Sequence, residues 1–148
     1  MFEIRPTKAY KKLNADLFTE GGKIPVVTNS SMDNGVTGYS DLKPTEKGNI
    51  ITYSDTTTSE GIFYQPCDFI GYSHIQGLYP LGDKGKWNYA SLICIVALFR
   101  KAAGGKFNYG NKFNRKIAKE LKIQLPTKNG QIDFEFMEAF VAELEAQR

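Results

Sequence analysis

Short apolar runs separated by polar loops fill the first half of the chain, and longer apolar stretches at helical spacing fill the second. The apolar spacing over residues 6–19 predicts a short helix, ended at Gly21 and Gly22. Residues 24–28, "IPVVT", read as a strand whose proline places it at a sheet edge or a strand start. A polar loop over 29–38 follows, in which Asn34-Gly35 is a strong turn signal. Residues 49–53 predict a second strand leading into another polar loop, "SDTTTSEG" (54–61). Residues 62–65, 69–72 and 75–79 predict further short strands, spaced as in a compact, strongly bent β structure.

The character then changes. From 87 to 103 the positions Trp87, Ala90, Leu92, Ile93, Val96, Ala97 and Arg100 recur at three- and four-residue intervals and stop at Gly104-Gly105. That is a helix with a glycine stop. Residues 111–121 predict a second, shorter helix, and 122–125 a closing strand halted by Pro126. Asp133 caps a helix running from Phe134 to the end. Phe134, Met137, Val141 and Leu144 follow the 3-4-3 spacing of a heptad seam, which an ordinary docking helix fits equally. This last helix ends mid-pattern, so a truncated helix is expected. No internal repeat or low-complexity tract appears. The predicted class is α/β in the mixed α+β sense: a bent β structure of short strands, a few packed helices and a C-terminal helix.

Composition narrows the class. At 148 residues, 41% apolar and 13% aromatic, the chain fits one globular domain with a proper core. Its longest apolar run, residues 92–99, falls well short of the roughly 20 residues of a membrane span. The N-terminus lacks the layout of a signal peptide. A cytoplasmic protein without membrane attachment is the expectation. Cys67 and Cys94 sit among apolar or aromatic neighbours, which favours two reduced thiols over a disulfide.

Charge distribution says more than the overall +3. Residues 84–122 carry ten Lys/Arg against Glu120 alone, a net +9, while 51–83 carry four acids and no Lys or Arg. Charge this concentrated repels itself unless something anionic meets it, and phosphate is the usual candidate. A solvated helix face balanced by the acidic segments is the plainer alternative. Within the basic region "KFNYGNKFNR" (106–115) mixes three cations, three asparagines and three aromatics around one glycine. Phe107, Tyr109 and Phe113 are expected to pack inward, with Lys106, Lys112 and Arg115 facing out. Asn108 and Asn111 fit either helix capping or contact with a ligand.

Catalytic constellations do not assemble. The lone histidine, His74, has no cluster around it for a metal site. Neither a nucleophile elbow nor a phosphate-binding P-loop is present. Glu120-Leu121-Lys122 has the E-x-K spacing of metal-dependent nucleases, but its nearest upstream partner, Pro66-Cys67-Asp68, lies some fifty residues away, and surface helix charge explains Glu120 better. The chain is expected to bind and not to catalyse, with no cofactor and no metal.

Three stretches in order, "NGVTGY" (34–39), "GNIITYS" with "GIFYQPCDF" (48–54 and 61–69), and "KFNYGNKFNR" with "LKIQLPTKNGQIDFEFMEAF" (106–115 and 121–140), resemble the target-recognition domain of type I restriction–modification specificity subunits. Related recognition regions fused to, or partnering, methyltransferase–endonucleases share it. The likeness runs from about residue 20 to the end. It implies a domain that reads one half of a split target in double-stranded DNA while partner methyltransferase and restriction subunits modify adenine and cleave. It also implies that residues 1–132 are the recognition domain and 133–148 the opening turns of a spacer helix, through which self-association is a further expectation. A specificity subunit has two recognition domains and this chain one. A half-subunit, an excised domain and the C-terminal region of a larger restriction enzyme therefore all stay open. So does a protein-interaction domain that meets DNA only within an assembled methyltransferase complex.

On that resemblance the phosphate contacts fall to Lys84, Lys86, Lys106, Lys112, Arg115 and Lys116, with Lys119 left as a solvated helix residue. Base reading falls to Ser30, Ser31 and Asn34 in one loop and to Asp55, Thr56, Thr57, Thr58 and Ser59 in the other, whose short polar side chains donate and accept. Plain turn chemistry explains the same residues.

Overall fold

Apolar and β-branched residues at strand spacing build a central sheet; one long helix with an apolar stripe packs on it, and the C-terminal helix packs on that helix. The computed structural model describes residues 1–56, 59–107 and 112–148, apart from the side chains of Ser59 and Lys84. In chain order the elements are β1 (Phe2–Pro6), α1 (Asn14–Leu17), β2 (Ile24–Val27), β3 (Val36–Ser40), β4 (Ile50–Ser54), β5 (Phe63–Gln65), β6 (Ile75–Pro80), α2 (Tyr89–Ala103), α3 (Arg115–Glu120), β7 (Thr127–Lys128), β8 (Gln131–Ile132) and α4 (Phe134–Ala146). Single 3-10 turns lie at Asp33–Gly35, Ser59–Gly61 and Lys84–Lys86. The class is mixed α+β, as the pattern predicts.

The main sheet has the order β1-β6-β4-β5, with every neighbouring pair antiparallel. Of its two central strands, β4 is buried along its whole length. Pleating sends Ile51 and Tyr53 to one face, where they join Leu78, Trp87, Leu92, Ile95 and Phe99 in the main core. Ile50 points to the other face and packs with Val27, Phe69 and Ile75. That second face is covered by the β2–β3 hairpin, which carries an irregularity between Val26 and Val27.

Helix α2 begins at a reciprocal cap: the Asn88 side chain accepts from the Ser91 N–H, and the Ser91 hydroxyl accepts from the Asn88 N–H. It ends at Gly104 and Gly105, the latter at φ +71, a left-handed conformation that glycine adopts without strain. Helix α4 packs on α2. Asp133 caps it by accepting from the Phe136 N–H at 2.9 Å, and the Trp87 and Phe134 rings meet edge-on at 4.9 Å.

Several expectations need correction. Residues 6–19 hold only the four-residue α1, because the chain first runs as β1 against β6. Residues 69–72 form no strand: Phe69, Ile70 and Gly71 each make a single bridge, to Glu46, Val26 and Ala9 respectively. Three different partners cannot make a ladder. Gly71 is needed there, since a Cβ would lie 2.4 Å from Thr7 Oγ1. The helix expected over 111–121 starts later, at Arg115, behind the cap Asn114. Residues 122–125 form no strand either; Ile123 and Leu125 instead pack on the core. The strand pairing falls to β7 and β8, joined by Asn129 and Gly130 at φ 54 and 76, the two positive values of a type I′ turn. In α4 the seam divides: Met137 and Val141 are buried, whereas Leu144 is exposed beside Phe136 and Phe140. Cys67 and Cys94 are free thiols.

Candidate nucleic-acid interface

The two polar loops and the basic segment come together at one end of the sheet. Loop 29–35 is held against β5 by Asn34, whose amide Nδ2 donates to the Tyr64 carbonyl at 2.9 Å and to Gln65 Oε1 at 3.1 Å. Gln65 Nε2 donates back to the Asn34 carbonyl and on to Thr52 Oγ1, each at 3.0 Å. Asn34 sits at φ 59, a left-handed position that asparagine tolerates better than most residues. The amide thus grips β5. In the same loop Ser30 Oγ accepts from the Met32 N–H at 3.0 Å, a local turn bond, and Ser31 is exposed.

The second loop leaves the end of β4. Asp55 is four-fifths buried; its Oδ1 lies 3.0 Å from His74 Nδ1 and its Oδ2 accepts from Gln76 Nε2 at 2.9 Å. Thr56 Oγ1 lies 2.9 Å from Ser54 Oγ. Thr57 and Thr58 lie outside the described residues, as does the side chain of Ser59. Glu60 is exposed in the turn Ser59–Gly61 that leads into β5.

Aromatic packing brings the basic segment to the same place. Phe113 is fully buried, 4.8 Å from Tyr53, 5.3 Å from Phe99 and stacked on Phe107 at 4.7 Å. Lys106, Lys112, Arg115 and Lys116 are exposed around this anchor. Asn108, Tyr109, Gly110 and Asn111 lie outside the described residues. The buried Tyr53 hydroxyl has no hydrogen-bond partner among the described residues. Burial and the Asp55 charge push its ionisation well above the ordinary tyrosine range, and the nearby Arg115 charge opposes them.

Not every expected cation joins this cluster. Lys86 sits at the opposite end of α2, its Nζ 5.9 Å from the centre of the Phe134 ring. Lys84 lies in the same turn, its side chain outside the described residues. A helix of 15 residues separates the two groups, roughly 22 Å at 1.5 Å per residue.

One side chain in the cluster escaped the sequence reading. Arg100 donates from Nε to the Ile62 carbonyl at 2.8 Å and again from Nη2, and its Cζ lies 5.0 Å from the centre of the Phe63 ring. The available signal was a charged residue continuing the apolar series of α2. Among the described residues no group of His, Cys, Asp and Glu is arranged to hold a metal ion, and no helix is long and apolar enough to cross a membrane.

Comparison with known proteins agrees with this geometry. The family described as "Type I restriction modification DNA specificity domain" matches residues 1–148. The "Type II restriction enzyme BgcI specificity subunit S.BcgI" of Heyndrickxia coagulans is 29% identical over 126 residues, which are 84% of this chain and 36% of that protein. The crystal structure of the type I restriction–modification system S subunit from M. genitalium superposes with a TM-score of 0.69 at 16% identity, over 97% of this chain and 37% of that one. The chain therefore spans a little over a third of the length of the relatives it matches.

Proposed function

The chain belongs to the type I restriction modification DNA specificity domain family, and from that premise we propose that it reads one half of a target in double-stranded DNA for a restriction–modification system. It has no catalytic role of its own: partner subunits or fused domains methylate adenine and cleave. The observation that carries this reading is the convergence of two polar loops and a basic segment at one end of the sheet, fastened by the Asn34–β5 and Tyr53–Phe113 contacts.

Such a layout divides the work of recognition. Lys106, Lys112, Arg115 and Lys116 meet phosphates and fix register, whereas the loops above them reach base edges. Ser31 and Thr56, with Thr57, Thr58 and Ser59, are the short polar groups for base reading. Asn34 and Asp55 hold the loops in shape through β5, His74 and Gln76, and Ser30 serves its own turn. Lys84 and Lys86 lie roughly 22 Å away along α2, enough to engage phosphates about six base pairs distant.

Residues 133–148 are the opening turns of a spacer helix in this reading, and residues 1–132 the recognition domain. A second contribution, docking of a partner subunit or a second copy, is favoured by the exposed Phe136, Phe140 and Leu144 on α4. It suits a protein that works in the cytoplasm within an assembled enzyme.

Methylome sequencing of the source cell, with and without the gene, tests the proposal. The expected result is loss of one methyladenine motif when the gene is removed. An unchanged methylome overturns the reading.

A further inference from the structure

We infer that Arg100 centres a base-pair-reading pocket at the junction of the two polar loops, and that the pair it takes contains guanine. This rests on the DNA-recognition reading above. A cavity of about 310 Å³ opens where loop 29–35 meets the turn Ser59–Gly61, lined by Ser31, Glu60, Phe63 and Arg100. Both loops, β5 and α2 each present a side chain to this space.

The guanidinium in it is already oriented. Its Nε and Nη2 both donate to the Ile62 carbonyl, and the Phe63 ring lies 5.0 Å from Cζ. These two anchors fix the position and plane of the fork, so little side-chain freedom remains to be lost on binding. A guanidinium carries five N–H groups. The Ile62 carbonyl takes one from Nε and one from Nη2, which leaves both on Nη1 and the second on Nη2. The outer edge between Nη1 and Nη2 therefore keeps two parallel donors. That edge matches the O6 and N7 acceptors that guanine presents in the major groove.

The surroundings separate a base pair from a phosphate. Glu60 on the same wall is acidic, which repels the backbone and suits the N4 amino donor of the paired cytosine. An A·T pair offers an amino donor where guanine offers O6, and so sets donor against donor. Lysine at this position keeps the charge but has no fork.

The test uses the protein in its own cells, expressed low enough that target sites stay incompletely methylated, with the wild-type gene compared with R100K, R100Q and a strain lacking the gene. Methylome sequencing is expected to show a motif with a G·C pair whose discrimination falls about 5- to 150-fold in both variants, while other positions keep theirs. Melting temperatures of the purified variants report folding. Should either variant fail to fold, Phe63→Leu, which removes the ring and leaves the charge, is expected to relax the same position several-fold. A motif unchanged at every position, or a uniform loss of methylation across all sequences, overturns the assignment and leaves the DNA reading intact. A wild-type methylome with no motif that depends on the gene overturns that reading as well.

Discussion

The rings of Tyr53, at the end of β4, and Phe113, inside the basic segment, lie 4.8 Å apart with Phe113 fully buried. This contact ties the cations to the loop that leaves β4. Phe113→Ala removes it together with the packing on Phe99 and Phe107. A loss of about 3–5 kcal/mol in urea unfolding is expected, the usual range for truncating a buried phenylalanine. DNA binding by the folded remainder should weaken and lose salt sensitivity, because the cations are no longer held in one place. Phe113→Leu, which keeps most of the apolar volume, should cost less than the alanine change and keep both properties.

Removing the cations themselves has a different signature. Lys112→Ala, Arg115→Ala and Lys116→Ala are each expected to lower affinity about equally for every DNA sequence. Each lost phosphate contact reduces the slope of log affinity against log salt by about 0.9. Anisotropy titrations over a salt series read both quantities. Lys119→Ala, on the same helix, serves as the control with an unchanged slope.

Elements whose own residues settle their form were readable from sequence. Helix α2 carries its stripe and its glycine stop locally, although its start at Tyr89 behind the Asn88 cap lies two residues past the start of the apolar pattern, and Asp133 announces α4. Strand β4 is a run of apolar and β-branched residues that a buried central position demands. By contrast, β1 holds only two strongly apolar residues before its proline, and its partner β6 lies some seventy residues away. Strand β3, "VTGYS", has β-forming Val36, Thr37 and Tyr39 interrupted by Gly38, and its pairing with β2 settles it. The single bridges of residues 69–71 carry no local signal at all.

The candidate site divides in the same way. That the loops are polar and the 106–116 segment basic was visible in composition. Which side chains face outward was not, because distant residues decide it: Tyr64 and Gln65 claim the Asn34 amide, and His74 and Gln76 claim the Asp55 carboxylate. Arg100 reads in sequence only as the last position of the α2 pattern. Its neighbours Ile62 and Phe63 reach it only through the fold.

Asn34 offers a direct check on loop support. Asn34→Ala removes two donated hydrogen bonds and places a Cβ residue without a local polar partner at φ 59. The expected loss is about 2–4 kcal/mol. Asn34→Gly loses the same bonds but relaxes the backbone, so it should be the milder change by about 1 kcal/mol. Melting curves of the two variants give the order. Equal stabilities would mean that the left-handed backbone contributes nothing.

On the opposite side of the sheet, Arg5 and Glu46 form an ion pair at 2.9 Å, with the Glu46 side chain nearly buried and Arg5 about one third exposed. Burial raises the Glu46 pKa. The Arg5 guanidinium and the Lys8 N–H, both hydrogen-bonded to the carboxylate, outweigh that effect, so the net shift is downward. A folded pKa below the unfolded one means that the stabilisation is complete above the unfolded value, about 4.3. It is lost as pH falls through the lower folded value. Glu46→Gln keeps an acceptor for the Lys8 N–H and removes the charge. At pH 7 it should cost about 2–3 kcal/mol, below the roughly 3–5 kcal/mol for breaking a fully buried pair, since Arg5 is one third exposed and can rehydrate. As pH falls below 4 the difference between wild type and variant should shrink toward zero, because wild-type Glu46 then becomes neutral too. Urea unfolding at pH 7, 5, 4 and 3 measures that difference directly. A gap that stays constant across the series would show that the Glu46 charge is not what stabilises β1 against the 45–48 loop.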